Sequence, residues 1–246
     1  MKLTQKLSQS KKTLFSIEIL PPLKGKSIQS IYDGIDPLME FKPAFVDVTY
    51  HREEYIYKKR EGGYLEKVSI RKRPGTVGIC AAIMNKYNVE AVPHIICGGF
   101  TKEETENALI DLQFLGIDNV LALRGDSIKT EPAFVPEPGG HPYALDLVKQ
   151  ITQMNHANYI DNEMKDAAPT NFCIGIAAYP ENTLQIMSRN GALVYEAKGY
   201  DNATKAFDGH ASTNGKLQEP GTYFYALTYK AGTETIYKTG YFVIKY

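Results

Sequence analysis

The sequence predicts an α/β fold, a partial TIM-like (β/α) barrel of about five β-α units, followed by a small all-β, sandwich-like domain. Three observations predict it. Residues 13–178 alternate short apolar runs with helical stretches, the pattern of a parallel sheet covered by helices. Polar residues of reactive type recur at the C-terminal ends of the apolar runs. After Tyr179 the helical periodicity stops and tyrosine-rich β-type runs take over. The expected domains are therefore 1–179 and 180–246.

The first strand falls in 13–20 and ends at Pro21-Pro22. Residues 27–41 are helical in pattern, with Pro37 forcing a kink or a new helix. Strand two spans 44–50, an apolar helix 75–88 and strand three 89–97. Thr101 opens the next helix with a capping box, because Glu104 lies three residues on. Ala108, Leu112 and Leu115 share a face of it, and Gly116 suits its C-terminal end. Strand four is 119–123, a helix spans 143–154, and strand five is 172–178. The strands are short and apolar, as expected when both faces are covered. Beyond them, 183–187, 192–197, 221–230 and 235–244 read as antiparallel strands. Asn190-Gly191, Asp208-Gly209 and Asn214-Gly215 mark turns.

Composition excludes several function classes. Lys+Arg and Asp+Glu both number 28, so no net basic field points to nucleic acid. The clusters Lys58-Lys59-Arg60 and Arg71-Lys72-Arg73 lie among Glu53, Glu54, Glu61 and Glu66 and read as a solvated loop. No apolar run reaches the ~18 residues of a membrane span. The polar N-terminus has no apolar signal core, which gives a cytoplasmic expectation. Cys80, Cys97 and Cys173 are odd in number and widely spaced. They predict reduced thiols and no metal site.

Candidate site residues close the strands: Glu18 in the first, Thr49, Tyr50 and His51 in the second, His94 in the third, Arg124, Gly125 and Asp126 after the fourth, Tyr179 after the fifth. In a (β/α) barrel such ends converge on one rim. A Rossmann sheet would also gather strand ends, but no G-x-G-x-x-G follows the first strand. Each residue also has a structural reading. His94 suits a core histidine, Arg124 and Asp126 could pair with each other, and the tyrosines could simply pack. Glu18 in an apolar strand must be exposed, paired or protonated.

Taken together, the motifs resemble the FAD-dependent methylenetetrahydrofolate reductases. They are Phe15-Ser16-Ile17-Glu18-Ile19-Leu20-Pro21-Pro22, Phe45-Val46-Asp47-Val48-Thr49-Tyr50, and Pro93-His94-Ile95-Ile96-Cys97, in which Ile96 replaces the family's usual Thr. Leu121-Ala122-Leu123-Arg124-Gly125-Asp126, Tyr143-Ala144-Leu145-Asp146-Leu147-Val148 and Ala177-Ala178-Tyr179-Pro180-Glu181 follow in family order. The resemblance, over residues 15–181, implies reduction of 5,10-methylenetetrahydrofolate to 5-methyltetrahydrofolate, a step of one-carbon metabolism toward methionine. NADH or NADPH reduces FAD, and the flavin then reduces the folate. It implies Glu18 as the acid and Asp126 as the residue that stabilises the cationic folate. It also implies a flavin site lined by Thr49, Tyr50, His94, Leu123, Arg124, Gly125, Asp126, Ala144 and Tyr179. A carboxyl with a pKa raised by partial burial suits the acid role.

The family barrel continues with three further units, for which 183–246 holds no counterpart. Those residues resemble instead the gliding-motility-associated C-terminal domain, the sorting tail of type IX secretion. The likeness rests on Leu184-Gln185-Ile186, Val194-Tyr195-Glu196, Phe207-Asp208-Gly209 and Pro220-Gly221-Thr222-Tyr223-Phe224-Tyr225. Ser188, Asn190 and Phe207 replace that pattern's Asn and two Trp residues. The expectation is a fused or shortened reductase of impaired activity, weighed against a divergent natural ending. Its half-open barrel would expose strand edges and favour self-association. The competing readings are a secreted or surface protein with a type IX module, and a non-catalytic folate- or flavin-binding fragment.

Overall fold

Five of the apolar runs become one parallel sheet. In the computed structural model these are β1 (Ile17–Ile19), β2 (Phe45–Val48), β5 (Glu90–Ile96), β6 (Asn119–Leu123) and β7 (Cys173–Ile176), adjacent in that order. The structure describes residues 1–129, 131–177, 181–200, 205–231 and 234–245, with backbone alone at Arg71 and Ala231. The order never reverses, so this sheet has no topological switch point of the doubly wound kind. It advances by one neighbour per β-α unit, as in a barrel. The chain divides into two units, Met1–Ala177 and Ala178–Tyr246.

The helices follow their sequence signals. α2 (Gln29–Ile35) gives way at Pro37 to a 3₁₀ turn, Asp36–Phe41, because proline fits the first turn of a helix but not its interior. α3 (Thr76–Tyr87) ends at Asn88 in a left-handed conformation, φ 52°. α4 (Lys102–Phe114) begins with the expected capping box. Thr101 Oγ1 accepts from Glu104 N at 3.1 Å, and Glu104 Oε2 accepts from Thr101 N at 2.8 Å. The buried face of α4 is Thr105, Glu106, Leu109 and Leu112. Leu115, expected on that face, is instead the C-terminal cap residue and 49% exposed, because the helix stops before completing another turn. α5 (Ala144–Met154) buries Leu147, Ile151 and Met154.

Two elements escaped the sequence reading. Residues 1–12, read as a polar terminus, contain α1 (Leu3–Gln9). It is tied to the N-terminal ends of the strands. Leu3 N donates to Asn119 Oδ1 at 2.8 Å, and Asn119 Nδ2 donates to Met1 O at 3.0 Å and Glu90 Oε2 at 3.1 Å. Lys6 Nζ donates to Ala44 O at 2.6 Å. Residues read as a charged loop form an antiparallel hairpin, β3 (Glu54–Lys59) and β4 (Leu65–Arg71), turning at Gly62-Gly63. Tyr55-Ile56-Tyr57 and Val68-Ser69-Ile70 supply β-prone residues that outweigh the charges.

The second unit is one antiparallel sheet, ordered β11-β10-β8-β9, of β8 (Asn182–Met187), β9 (Leu193–Lys198), β10 (Gly221–Ala231) and β11 (Glu234–Ile244). One face holds its core of Leu184, Ile186, Val194, Ala211 and Tyr223.

The core of the first unit lies between the sheet and its helices. Leu109 and Leu112 of α4, Val46 and Val48 of β2, and Ile83 of α3 meet there. Leu112 is fully buried and Phe114 is 86% exposed. Leu112→Ala should therefore destabilise the first unit by about 2–5 kcal/mol, whereas Phe114→Ala should stay within about 0.5 kcal/mol of wild type. Urea denaturation followed by circular dichroism measures both, and equal effects would show that the helix presents a different face.

Candidate active site

Register decides which residues share a face. Ile17 pairs with Val46 and Val46 with Ala91, and all three belong to the helix-covered core. Their neighbours Glu18, Asp47 and Val92 are likewise in register, so they must occupy the opposite face. His94, two residues beyond Val92, shares that face and pairs with Leu121. Extending the β2–β5 register by one residue brings Thr49 opposite His94. Glu18, Asp47, Thr49 and His94 thus form a compact polar group on the helix-free face, toward the C-terminal ends of the strands.

Contacts and charges agree with this placement. Thr49 Oγ1 donates to Glu18 Oε1 at 2.8 Å. His94 is 5% exposed, and its Nε2 is buried with no hydrogen-bond partner among the described residues. Burial holds the His94 imidazole below its usual pKa; the Glu18 carboxylate opposes this and His51 adds to it. A neutral histidine with an open ring nitrogen can accept or donate one hydrogen bond to a bound polar group.

Asp47 is a residue the sequence reading quoted inside a motif but did not select. Burial first, and the Glu18 charge second, push its carboxyl up to about 6. Two carboxyls in register on adjacent strands disfavour double ionisation. The signal that could have found it is an Asp between Val46 and Val48, the same argument applied to Glu18.

The third cluster closes β6. Gly125 has φ +81°, and a Cβ there would lie 3.2 Å from Ile96 Cδ1, so both conformation and space favour glycine. Arg124 and Asp126, on either side, are exposed. They form no ion pair with each other among the described residues, so the pairing considered from sequence is not what holds them. The Arg124 guanidinium lies 5.1 Å from the centre of the Phe134 ring. Ala144 is the first residue of α5 and is half-buried. Cys97 links these parts. Its Sγ contacts Leu123 O at 3.5 Å, and its thiol, pushed up to about 11 by burial, feels Asp146 of α5 and Arg124. Burial also raises the Cys80 thiol, so neither cysteine is poised as a nucleophile. Tyr50 packs against Phe100, ring centres 5.0 Å apart. Tyr179 lies outside the described residues.

An Arg52 clamp holds the long connection after β6. Its guanidinium is bound by Glu131 at 2.9 Å and Glu137 at 2.7 Å, with the Arg52 side chain 10% exposed. Beside it, a Cβ on Gly99 (φ +81°) would lie 3.0 Å from Arg52 Cγ. The rim is therefore a built surface of fixed backbone and paired charge.

This site sits on a chain with clear relatives. The family model for methylenetetrahydrofolate reductase matches residues 2–201, so the chain belongs to that family. The match runs past the parallel sheet and through β8 and β9. The chain is 28% identical over 200 residues to methylenetetrahydrofolate reductase (NADH) 1 of Arabidopsis thaliana, covering 80% of this chain and 29% of the plant protein. It is 30% identical over 186 residues to methylenetetrahydrofolate reductase 2 of Saccharomyces cerevisiae, covering 74% and 26%. With 5,10-methylenetetrahydrofolate reductase of Escherichia coli it shares 29% over 168 residues, 68% and 44% of the two chains. It thus spans less than half the length of these relatives. Among the described residues no helix is long and apolar enough to cross a membrane.

The raised Asp47 carboxyl gives a signed pH test. A group whose folded pKa lies above its unfolded value contributes stability below the unfolded pKa, lost as pH rises through the folded one. For Asp47 that window runs from 3.8 to about 6. Asp47→Asn should leave stability unchanged near pH 3.5 and raise it at pH 7 by about 1–2 kcal/mol, a figure reduced from the full pKa conversion because the group is only half-buried. Wild-type and variant urea curves at the two pH values check this. An Asp47→Asn difference independent of pH would remove the carboxyl from the interior face.

Proposed function

We propose that residues 1–179 form the flavin- and folate-binding half of a methylenetetrahydrofolate reductase, transferring reducing equivalents from a nicotinamide through FAD to 5,10-methylenetetrahydrofolate. One observation carries the reading: Glu18, Thr49 and His94, whose buried Nε2 has no partner among the described residues, share the helix-free face of a parallel sheet, at the strand ends where barrel enzymes keep their sites. The residues present suit a flavin. His94 Nε2 offers one hydrogen bond to a polar ring edge, Tyr50 offers an aromatic wall, and Arg124 offers charge to an anionic group. When bound, the flavin supplies the hydride chemistry.

In this reading Glu18, exposed on its strand rather than partly buried and held by Thr49, gives a proton to the folate nitrogen. Asp126 stabilises positive charge that develops on the folate. Leu123, Gly125 and Ala144 complete the flavin wall, to which the family motif alone adds Tyr179. NADH is the first choice of reductant, since the name of the Arabidopsis relative specifies it. Cys80, Cys97 and Cys173 are free, which suits a reducing cytoplasm. The edges of β1 and β7 carry no further strand among the described residues; they favour self-association and leave the site open on one side, so activity is low.

Residues 180–246 are a separate module in this proposal, although the reductase family match extends into it as far as residue 201. The change from parallel to antiparallel pairing falls at the junction, and the Val194-Tyr195-Glu196 and Pro220-to-Tyr225 motifs favour a sorting-tail-like β domain joined to the reductase segment.

FAD titrated into the purified chain should lose fluorescence with a dissociation constant of about 10 μM or weaker, and Arg124→Ala should weaken binding by about tenfold. With FAD and NADH present, residual folate reduction should vanish in Glu18→Gln while bleaching of the flavin by NADH persists. No saturable quenching up to ~1 mM flavin would overturn the flavin reading. Equal loss of both half-reactions in Glu18→Gln would make Glu18 a structural residue.

A further inference from the structure

A second concave site lies beside the flavin face and shares Tyr50 with it. It is a cavity of about 370 Å³ bounded by the β3–β4 hairpin, the segments that flank it, and the connections after β5 and β6. Arg52, Lys67, Lys72 and Arg73 line it, opposed by Glu53, Glu104 and Glu137. The formal charges nearly balance, so the distribution of partners decides what the cavity can bind.

Each acid is already engaged. Glu53 accepts from Ser69, which holds its carboxyl below the usual range, and pairs with Lys72 at 3.5 Å. Glu104 Oε2 closes the capping box on Thr101 N and Oγ1. Glu137 is bound to Arg52. Two cations have no ion pair among the described residues, although the Lys67 charge also helps hold the Glu53 carboxyl down. Lys67 Nζ rests 3.9 Å over the Tyr55 ring and forms no ion pair among the described residues. Arg73 donates through Nη1 to Pro21 O, and its Nε is buried without an acceptor among the described residues. The hairpin and its exit segment therefore bring the exposed Lys67 and the half-buried Arg73 to one wall of the cavity with donor capacity unspent. A buried guanidinium N–H without an acceptor is costly unless a ligand supplies one.

The geometry points to a binding site for a multiply charged oxyanion in this cavity, held by Lys67 and Arg73 with Lys72 at the rim. A phosphate ester and an oligocarboxylate present the same chemistry: several oxygens of delocalised negative charge, matched by an Arg fork and mobile Lys donors. The Arg52 clamp keeps the opposite wall fixed, and Gly99 keeps that wall close. The site does not depend on the flavin reading, because its anion-binding side chains belong to the hairpin segment rather than the parallel sheet.

Isothermal titration of the full chain, without flavin, tests it with three probes: inorganic pyrophosphate, ADP and γ-glutamylglutamate. At least one should bind at a single site with a dissociation constant below about 1 mM. Binding of pyrophosphate and ADP would identify phosphate as the natural group, and binding of γ-glutamylglutamate the carboxylates. Lys67→Glu should weaken binding by more than about tenfold, and Lys67→Ala serves if the reversal unfolds the chain. Lys58→Glu, the same charge change on β3 outside the cavity, should leave it unchanged. No saturable binding of any probe up to ~10 mM would overturn the proposal. So would equal weakening by Lys58→Glu, which would reduce the effect to general surface charge.

Discussion

The parity of the parallel sheet is the constraint on which the rest of this structure depends. Four helices cover one face of β1, β2, β5, β6 and β7, so every second residue on each strand must be apolar. Val46 and Val48 are fully buried against those helices, and Asp47 between them faces the other way. A one-residue slip of β2 would put Asp47 into the helix-packed core and both valines on the polar face. The carboxylate's desolvation cost and the lost apolar burial act in the same direction, so the register is strongly specified. The arrangement of Glu18, Thr49 and His94 follows from this register and needs no further folding information.

The rim is specified differently, by paired charge. Arg52 reaches from the segment after β2 to Glu131 and Glu137 on the long connection after β6. With Arg52 almost buried, removal of either carboxylate would leave charge poorly compensated. Gly98 and Gly99 let the connection after β5 pass close to that side chain. Three loops that carry candidate site residues are thereby held to a single geometry, as positioning requires. The hairpin stands beside this clamp and gives the rim its second, cationic wall.

Much of this was legible in the sequence. The strands appeared as short apolar runs, the kink at Pro37 and the capping box at Thr101 and Glu104 had local chemical causes, and Glu18 stood out as a charge in an apolar strand. Other features were not legible because their causes are tertiary. The α1 helix is short and polar, and its position comes from Asn119, Glu90 and Ala44, distant in sequence. The hairpin's charged residues masked its alternating Tyr, Ile and Val. Leu115 fits the helical period, but the chain leaves the helix at that residue. Asp47 carried the same signal as Glu18 and was overlooked inside a longer motif. That His94 Nε2 would lack a partner among the described residues could not be read from Pro93 and Ile95; it required the neighbouring strands.

The central claim is that the strand ends of the parallel sheet are one ligand face, and hydrogen–deuterium exchange with and without FAD tests it most directly. The account predicts slower exchange on FAD addition at residues 18–20, 49–52, 94–99 and 123–126 together, with strands β8 to β11 unchanged. Protection confined to the antiparallel unit, or absent from the strand ends at saturating FAD, would contradict it.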